Sequence, residues 1–181
     1  MSPRAPGRPP AEEPLLGGEQ QETWFAWMRV MIRLSYEMNR QLQTDSDLSL
    51  SDFDVLNALD DSPGRRLQLT DLAARIGWER SRVSHHLQRM QSRGLVERTP
   101  SSSDGRATDA VLTDAGRAAL LEATPGHAAL VRTLFFDGLD PHLLSPLRTA
   151  LDQVHQQLLA HGTLGSPGPP QSRLTGLAAD D

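Results

Sequence analysis

Between Leu67 and Gly116 the hydrophobic period of this chain switches from helical to alternating, and a glycine stands at each change of direction. Leu69, Leu72, Ala73 and Ile76 recur at helical spacing, with Thr70 placed to cap the free amides of a helix beginning there. Gly77 ends that helix, because glycine takes the left-handed angle that a tight inter-helix turn requires. Trp78 is set to plug the angle between this helix and a second one, predicted over Arg80 to Arg93.

On a helical wheel Val83, Leu87 and Met90 fall together and face the first helix. The opposite side carries Ser81, His85, Gln88 and Ser92, flanked by Arg82, Ser84 and Arg89. No carboxylate occurs between Arg80 and Gly94. A solvated helix face normally mixes both signs, so this one favours a polyanionic partner over an ordinary exposed surface.

After Gly94, Leu95 to Thr99 and Thr108 to Leu112 alternate as two short strands around a turn-forming loop, Pro100 to Ala107. Arg106 falls near the tip of this hairpin, where a guanidinium suits the acceptor edge and negative potential of a narrow minor groove. Asp104, two residues away, is placed to orient it. The competing reading is a surface turn with an incidental arginine. Two helices around a glycine turn, then an arginine-tipped hairpin, make a winged helix-turn-helix, a DNA-reading module.

Leu72-Ala73, Gly77, Val83-Ser84, Leu87, Gly94-Leu95-Val96, Arg98, Asp104-Gly105-Arg106 and Leu112-Thr113-Asp114-Ala115-Gly116 together resemble the multiple antibiotic resistance regulator (MarR) family. The Asp-x-Arg wing followed by Leu-Thr-x-x-Gly is the specific part, and the resemblance extends more loosely from about Glu19 to Gly162. It implies a homodimeric transcriptional regulator, usually a repressor of a neighbouring operon, often released from DNA by a small molecule. By matching position, Ser81, Arg82, Ser84, His85, Gln88 and Arg89 would serve the major groove and its phosphates, and Arg106 the minor groove. His86 departs from the family, which more often has an aliphatic residue there. It reads as a hydrogen-bonded histidine at the edge of the core.

A net charge of −5 would oppose DNA binding if it were spread evenly, and it is not. From Arg65 to Arg117 ten arginines meet six acids, a surplus of four, so the rest of the chain carries −9. All 18 basic residues are arginine, which codon bias explains more simply than function does. With no cysteine, disulfides, thiolate metal sites and thiol-based sensing are excluded. No signal peptide opens the sequence and no uncharged run is long enough to span a bilayer, so a cytoplasmic location is expected.

Outside the module, which is assigned to residues 46–112, the pattern is helical. Proline-rich residues 1–18 and the glycine- and proline-rich residues 163–181 are expected to be disordered. A first helix is predicted over Gln20 to Leu42, with Trp24, Trp27, Met28, Met31, Leu34, Met38 and Leu42 in one stripe. Ser51 with Asp54 reads as a capping box for a second helix carrying Phe53, Leu56 and Leu59. Thr113 opens a further helix that Pro125-Gly126 is expected to kink or break, and Pro141 starts the last.

The apolar surface of residues 19–45 and 113–162 exceeds what a lone monomer needs, so these segments are assigned to a two-fold dimer reading an inverted-repeat operator. Trp24, Trp27, Met31 and Tyr36 are either dimer core or the wall of a pocket for a small aromatic ligand. The six histidines show no helical pair at metal-binding spacing, and no nucleophile elbow, phosphate loop or paired-carboxylate motif occurs, so neither metal, cofactor nor catalysis is expected. The alternative function is a winged-helix module for protein interaction without operator binding, which would not need the basic helix face.

Overall fold

The computed structural model describes residues 15–101 and 107–165. Its helices are α1 (Gly18–Ser46), α2 (Leu50–Asp60), α3 (Leu69–Ile76), α4 (Arg80–Ser92), α5 (Asp114–Val131) and α6 (Leu144–His161). Its strands are β1 (Arg66–Gln68), β2 (Val96–Pro100) and β3 (Thr108–Leu112). A π-helical turn over Arg132–Phe136 and a 3-10 turn over Pro141–Leu143 connect α5 to α6. The chain is mainly helical with a small β element, as expected.

The β element is larger than a hairpin. β1, β3 and β2 form a three-stranded antiparallel sheet in that order, with Leu67 opposite Ala110 on one side and Arg98 opposite Ala110 on the other. Three residues are too few to print an alternating pattern, so β1 owes its state to its pairing with β3.

Two compact units divide within α1, after Leu34. In the first, Trp24, Phe25, Trp27, Val30, Met31 and Ile32 are all exposed. The second has the hydrophobic core. Leu42 and Leu48 join Phe53, Val55, Leu56 and Leu59 of α2, Leu69, Leu72 and Ala73 of α3, Val83, Leu87 and Met90 of α4, and Val96, Ala110 and Leu112 of the sheet. At roughly 1.5–3 kcal/mol for each large side chain removed from water, this cluster supplies the main driving force for folding.

Helix boundaries differ from the sequence reading where tertiary partners decide. The capping box of α2 is Ser49 with Asp52, two residues before the expected Ser51 with Asp54, although both pairs share one spacing. The earlier start lets Asn39 Oδ1 accept the Leu50 amide at 2.9 Å and brings Asp52 into the interior. Helix α3 begins at Leu69 with Gln68 at its N-cap and no side-chain cap, so Thr70 does not cap it. Strand β1 runs directly into the helix, and its pairing sets that first turn. Helix α1 extends beyond the expected Gln20 to Leu42 at both ends.

Helix α5 passes through Pro125-Gly126 without interruption. An internal proline costs about 3 kcal/mol. The burial of Leu120, Ala123, Thr124 and His127 along one face offsets it. His127 packs its ring 4.5 Å from that of Phe53, and its Nδ1 has no hydrogen-bond partner among the described residues.

The Leu-Thr-x-x-Gly run forms the joint between the sheet and α5. Thr113 caps α5 by accepting the Gly116 amide at 2.9 Å, while its hydroxyl lies 2.7 Å and 2.9 Å from the carbonyls of Gly94 and Leu95. A Cβ on Gly116 would stand 2.0 Å from the Leu95 carbonyl oxygen, so only glycine fits. The expectations for the two tails, apart from residues 15–18 and 163–165, and for the wing tip with Asp104 and Arg106, lie outside the described residues.

Candidate nucleic-acid interface

Helices α3 and α4 meet around Gly77, whose φ of 72° is left-handed, and the Trp78 amide donates back to the Ala73 carbonyl at 2.9 Å. Half-buried, Trp78 packs against the core at this corner. With Val83, Leu87 and Met90 completely buried, the orientation of α4 is fixed. Its outward side then presents Ser81, Arg82, His85, Gln88 and Arg89 to solvent, with Ser84 half-buried. Ser92 is also exposed, but its hydroxyl donates to the Arg89 carbonyl at 2.7 Å.

Eight of the module's ten arginines divide into two groups. Arg65 and Arg117 flank Asp60 at 3.5 Å and 3.2 Å, Arg66 pairs with Asp109 at 3.7 Å, and Arg75 donates to the Ala58 carbonyl at 3.0 Å. Arg93 binds Asp52 at 2.8 Å and also the carbonyl of Asp47. Arg80, Arg82 and Arg89 are exposed and make no ion pair among the described residues. Three of the module's arginines thus stand on α4 with no ion-pair partner among the described residues. The guanidinium of Arg82 lies 3.9 Å over the Trp78 ring, a cation–π contact that orients it.

Behind this face is a charged cluster that the sequence did not announce. Asp52 is buried, accepts the Ser49 amide at 2.9 Å and the Arg93 guanidinium at 2.8 Å, and stands 2.9 Å from His86 Nε2. Burial alone would raise the Asp52 pKa. The hydrogen bonds from His86, Ser49 and Arg93 outweigh it and hold the carboxyl well below the usual carboxylate range. His86, read as an edge-of-core histidine, is buried, and its Nδ1 lies 3.0 Å from an Arg89 terminal nitrogen. The available signal was the Ser-x-x-Asp spacing at Ser49, which competes with an identical spacing two residues on.

The four residues named for a ligand pocket lie on α1, and Trp24, Trp27, Met31 and Tyr36 are all exposed in the single chain. An apolar hollow that the sequence did not indicate is lined by Phe135, Phe136, Leu144, Leu147, Arg148 and Leu151. Among the described residues no group of three or more His, Asp or Glu side chains is placed to hold a metal ion. No described helix is long and apolar enough to cross a membrane.

A glycine-turned helix pair with an acid-free polar face, followed by a β-hairpin that pairs with a strand preceding the helices, defines a winged helix-turn-helix DNA-binding protein. Known proteins agree. The MarR family model matches residues 46–107. Sco3205 of Streptomyces coelicolor, a MarR family transcriptional regulator solved in complex with DNA, is 34% identical with a TM-score of 0.77, over 83% of this chain and 98% of its own. AbsC of the same organism is 33% identical with a TM-score of 0.75, over 81% and 98%. MOSR of M. tuberculosis, also solved with DNA, is 28% identical with a TM-score of 0.60, over 76% and 96%. The chain belongs to the MarR family of transcriptional regulators. No curated protein sequence matches it.

Proposed function

We propose that this regulator works as a homodimer that binds an inverted-repeat operator, represses a neighbouring operon, and is relieved by a small aromatic ligand. The observation that carries the reading is the outward face of α4, where Arg80, Arg82 and Arg89 have no ion-pair partner among the described residues and the helix carries no carboxylate. In this reading Ser81, Ser84, His85 and Gln88 contact base edges, Arg82 and Arg89 contact phosphates, and Arg106, oriented by Asp104, enters the minor groove.

The dimer assignment for residues 19–45 and 113–162 is supported by exposed apolar side chains in both segments. Trp24, Trp27 and Ile32 are exposed on α1, and Leu134, Phe136, Leu144, Val154 and Leu158 are exposed after α5. So many large apolar side chains exposed on these helices suit burial in an interface. A two-fold dimer would set its recognition helices on half-sites about 10 bp apart, centre to centre. Trp24, Trp27, Met31 and Tyr36 are our candidates for the ligand wall. A ligand there acts by favouring a dimer with wrongly spaced recognition helices.

A gel shift against the upstream intergenic DNA of its own gene, with excess nonspecific competitor, tests the central claim. A competitor-resistant shift at dimer stoichiometry is expected, and its absence counts against operator binding at that site. Arg106→Ala should lower affinity and flatten the preference for A·T pairs under the wing. Unchanged affinity and selectivity would remove Arg106 from the interface.

A further inference from the structure

His86 sits on the inner side of α4, yet both of its ring nitrogens face charged groups. Nε2 is 2.9 Å from Asp52 Oδ1 on α2, and Nδ1 is 3.0 Å from a terminal nitrogen of Arg89 on α4 itself. Trp78 meets the ring edge-on, with centroids 5.3 Å apart and planes at 85°, and carries Arg82 on its own face. Arg93 lies beyond, on the second oxygen of Asp52.

These partners settle where the imidazole proton is. Nε2 makes no well-aligned hydrogen bond despite this approach, but the negative charge beside it favours a hydrogen there over a lone pair. A guanidinium only donates, so the nitrogen facing Arg89 is bare. The ring is therefore neutral, in the Nε2–H tautomer. Asp52 does not need His86 for neutralisation, since Arg93 and the Ser49 amide already serve its other oxygen.

We propose that His86 is a positioning residue for Arg89. Asp52 fixes the tautomer, and the bare Nδ1 holds one guanidinium N–H at the border of the outward face. Arginine has five N–H donors, so four remain for a DNA phosphate. A guanidinium held in place beforehand loses less rotamer freedom when the duplex arrives than one swinging in solvent. This inference rests on the reading of Arg89 as a phosphate contact.

Binding of the duplex identified by gel shift, measured across a salt series, tests it with wild type, Arg89→Ala, His86→Leu, the double variant and His86→Gln. Arg89→Ala should weaken binding to all sequences alike and lower the salt slope by about one. His86→Leu should reproduce part of that loss, roughly three- to tenfold, and add nothing in the Arg89→Ala background. His86→Gln, which keeps a donor for Asp52 and an acceptor for Arg89, should restore affinity. Additive losses, or full affinity in a folded His86→Leu, overturn the positioning link alone. An Arg89→Ala variant with unchanged affinity and slope overturns the phosphate role beneath it. Long-range proton–nitrogen NMR of the wild type gives a test free of folding effects. The Nε2–H tautomer is expected at neutral pH, and the Nδ1–H tautomer overturns the proposal.

Discussion

Arg93 NH1 lies 2.8 Å from Asp52 Oδ2, and this bond joins the residue that ends helix α4 to the capping box that opens α2. The pair is asymmetric. Asp52 is 5% exposed and Arg93 37%, so the carboxylate is the member that suffers when its partner is lost.

Arg93→Ala should therefore cost about 3 kcal/mol of unfolding free energy near neutral pH, because it leaves a buried carboxylate without its cation. Asp52→Asn should cost less, about 1–2 kcal/mol, because it removes the buried charge and leaves only a partly exposed guanidinium, which water screens. Urea unfolding measures both. The pH dependence has a definite sign. The folded pKa of Asp52 is depressed, so its contribution is present above the unfolded value near 4 and is lost as pH falls below it. Between about pH 5 and pH 2 the wild type should lose stability more steeply than Asp52→Asn. Parallel curves would refute the buried-carboxylate argument.

His127 predicts a dependence in a higher pH window. Burial lowers its pKa, so the folded chain keeps the ring neutral while the unfolded chain takes up a proton near its ordinary value of about 6.5. Stability from this residue is full above that value and is lost as pH falls through it. His127→Leu keeps the volume against Phe53 and removes the unpartnered Nδ1. Its Tm should be at least that of the wild type at about pH 7.5, and should fall less toward about pH 5.5.

Gly116→Ala should be among the most damaging small substitutions in the chain, at about 3 kcal/mol, because the added methyl meets the Leu95 backbone. Gly138→Ala is the matched control, with nothing within 4 Å of the new atom and an effect expected within about 0.5 kcal/mol. Equal effects in thermal unfolding would mean that the sheet gives way to the methyl.

Repetition and periodicity made much of the fold legible. Val83, Leu87 and Met90 announced the inner side of α4, Gly77 the turn and Thr113 the cap of α5, because each depends on neighbours within four residues. What failed depended on distant partners. Ser49 and Ser51 offer the same local cap, and it is Asn39, Arg93 and His86, none of them close in sequence, that favour the first. Pro125 reads as a break until the burial on both sides of it is known. The charge surplus of the module was visible, but which arginines are consumed by Asp52, Asp60 and Asp109 was not. That partition narrows ten candidates to the few that face outward.

The anchoring and outward sides of α4 share almost no residues. Ser81, His85 and Gln88 are exposed and their side chains make no hydrogen bond among the described residues, while Val83, Leu87 and Met90 hold the helix in place. Substitution at the first three therefore carries little stability penalty. On the reading proposed for these residues, a lineage could exchange those letters, and with them the DNA sequence addressed, while inheriting the mount unchanged.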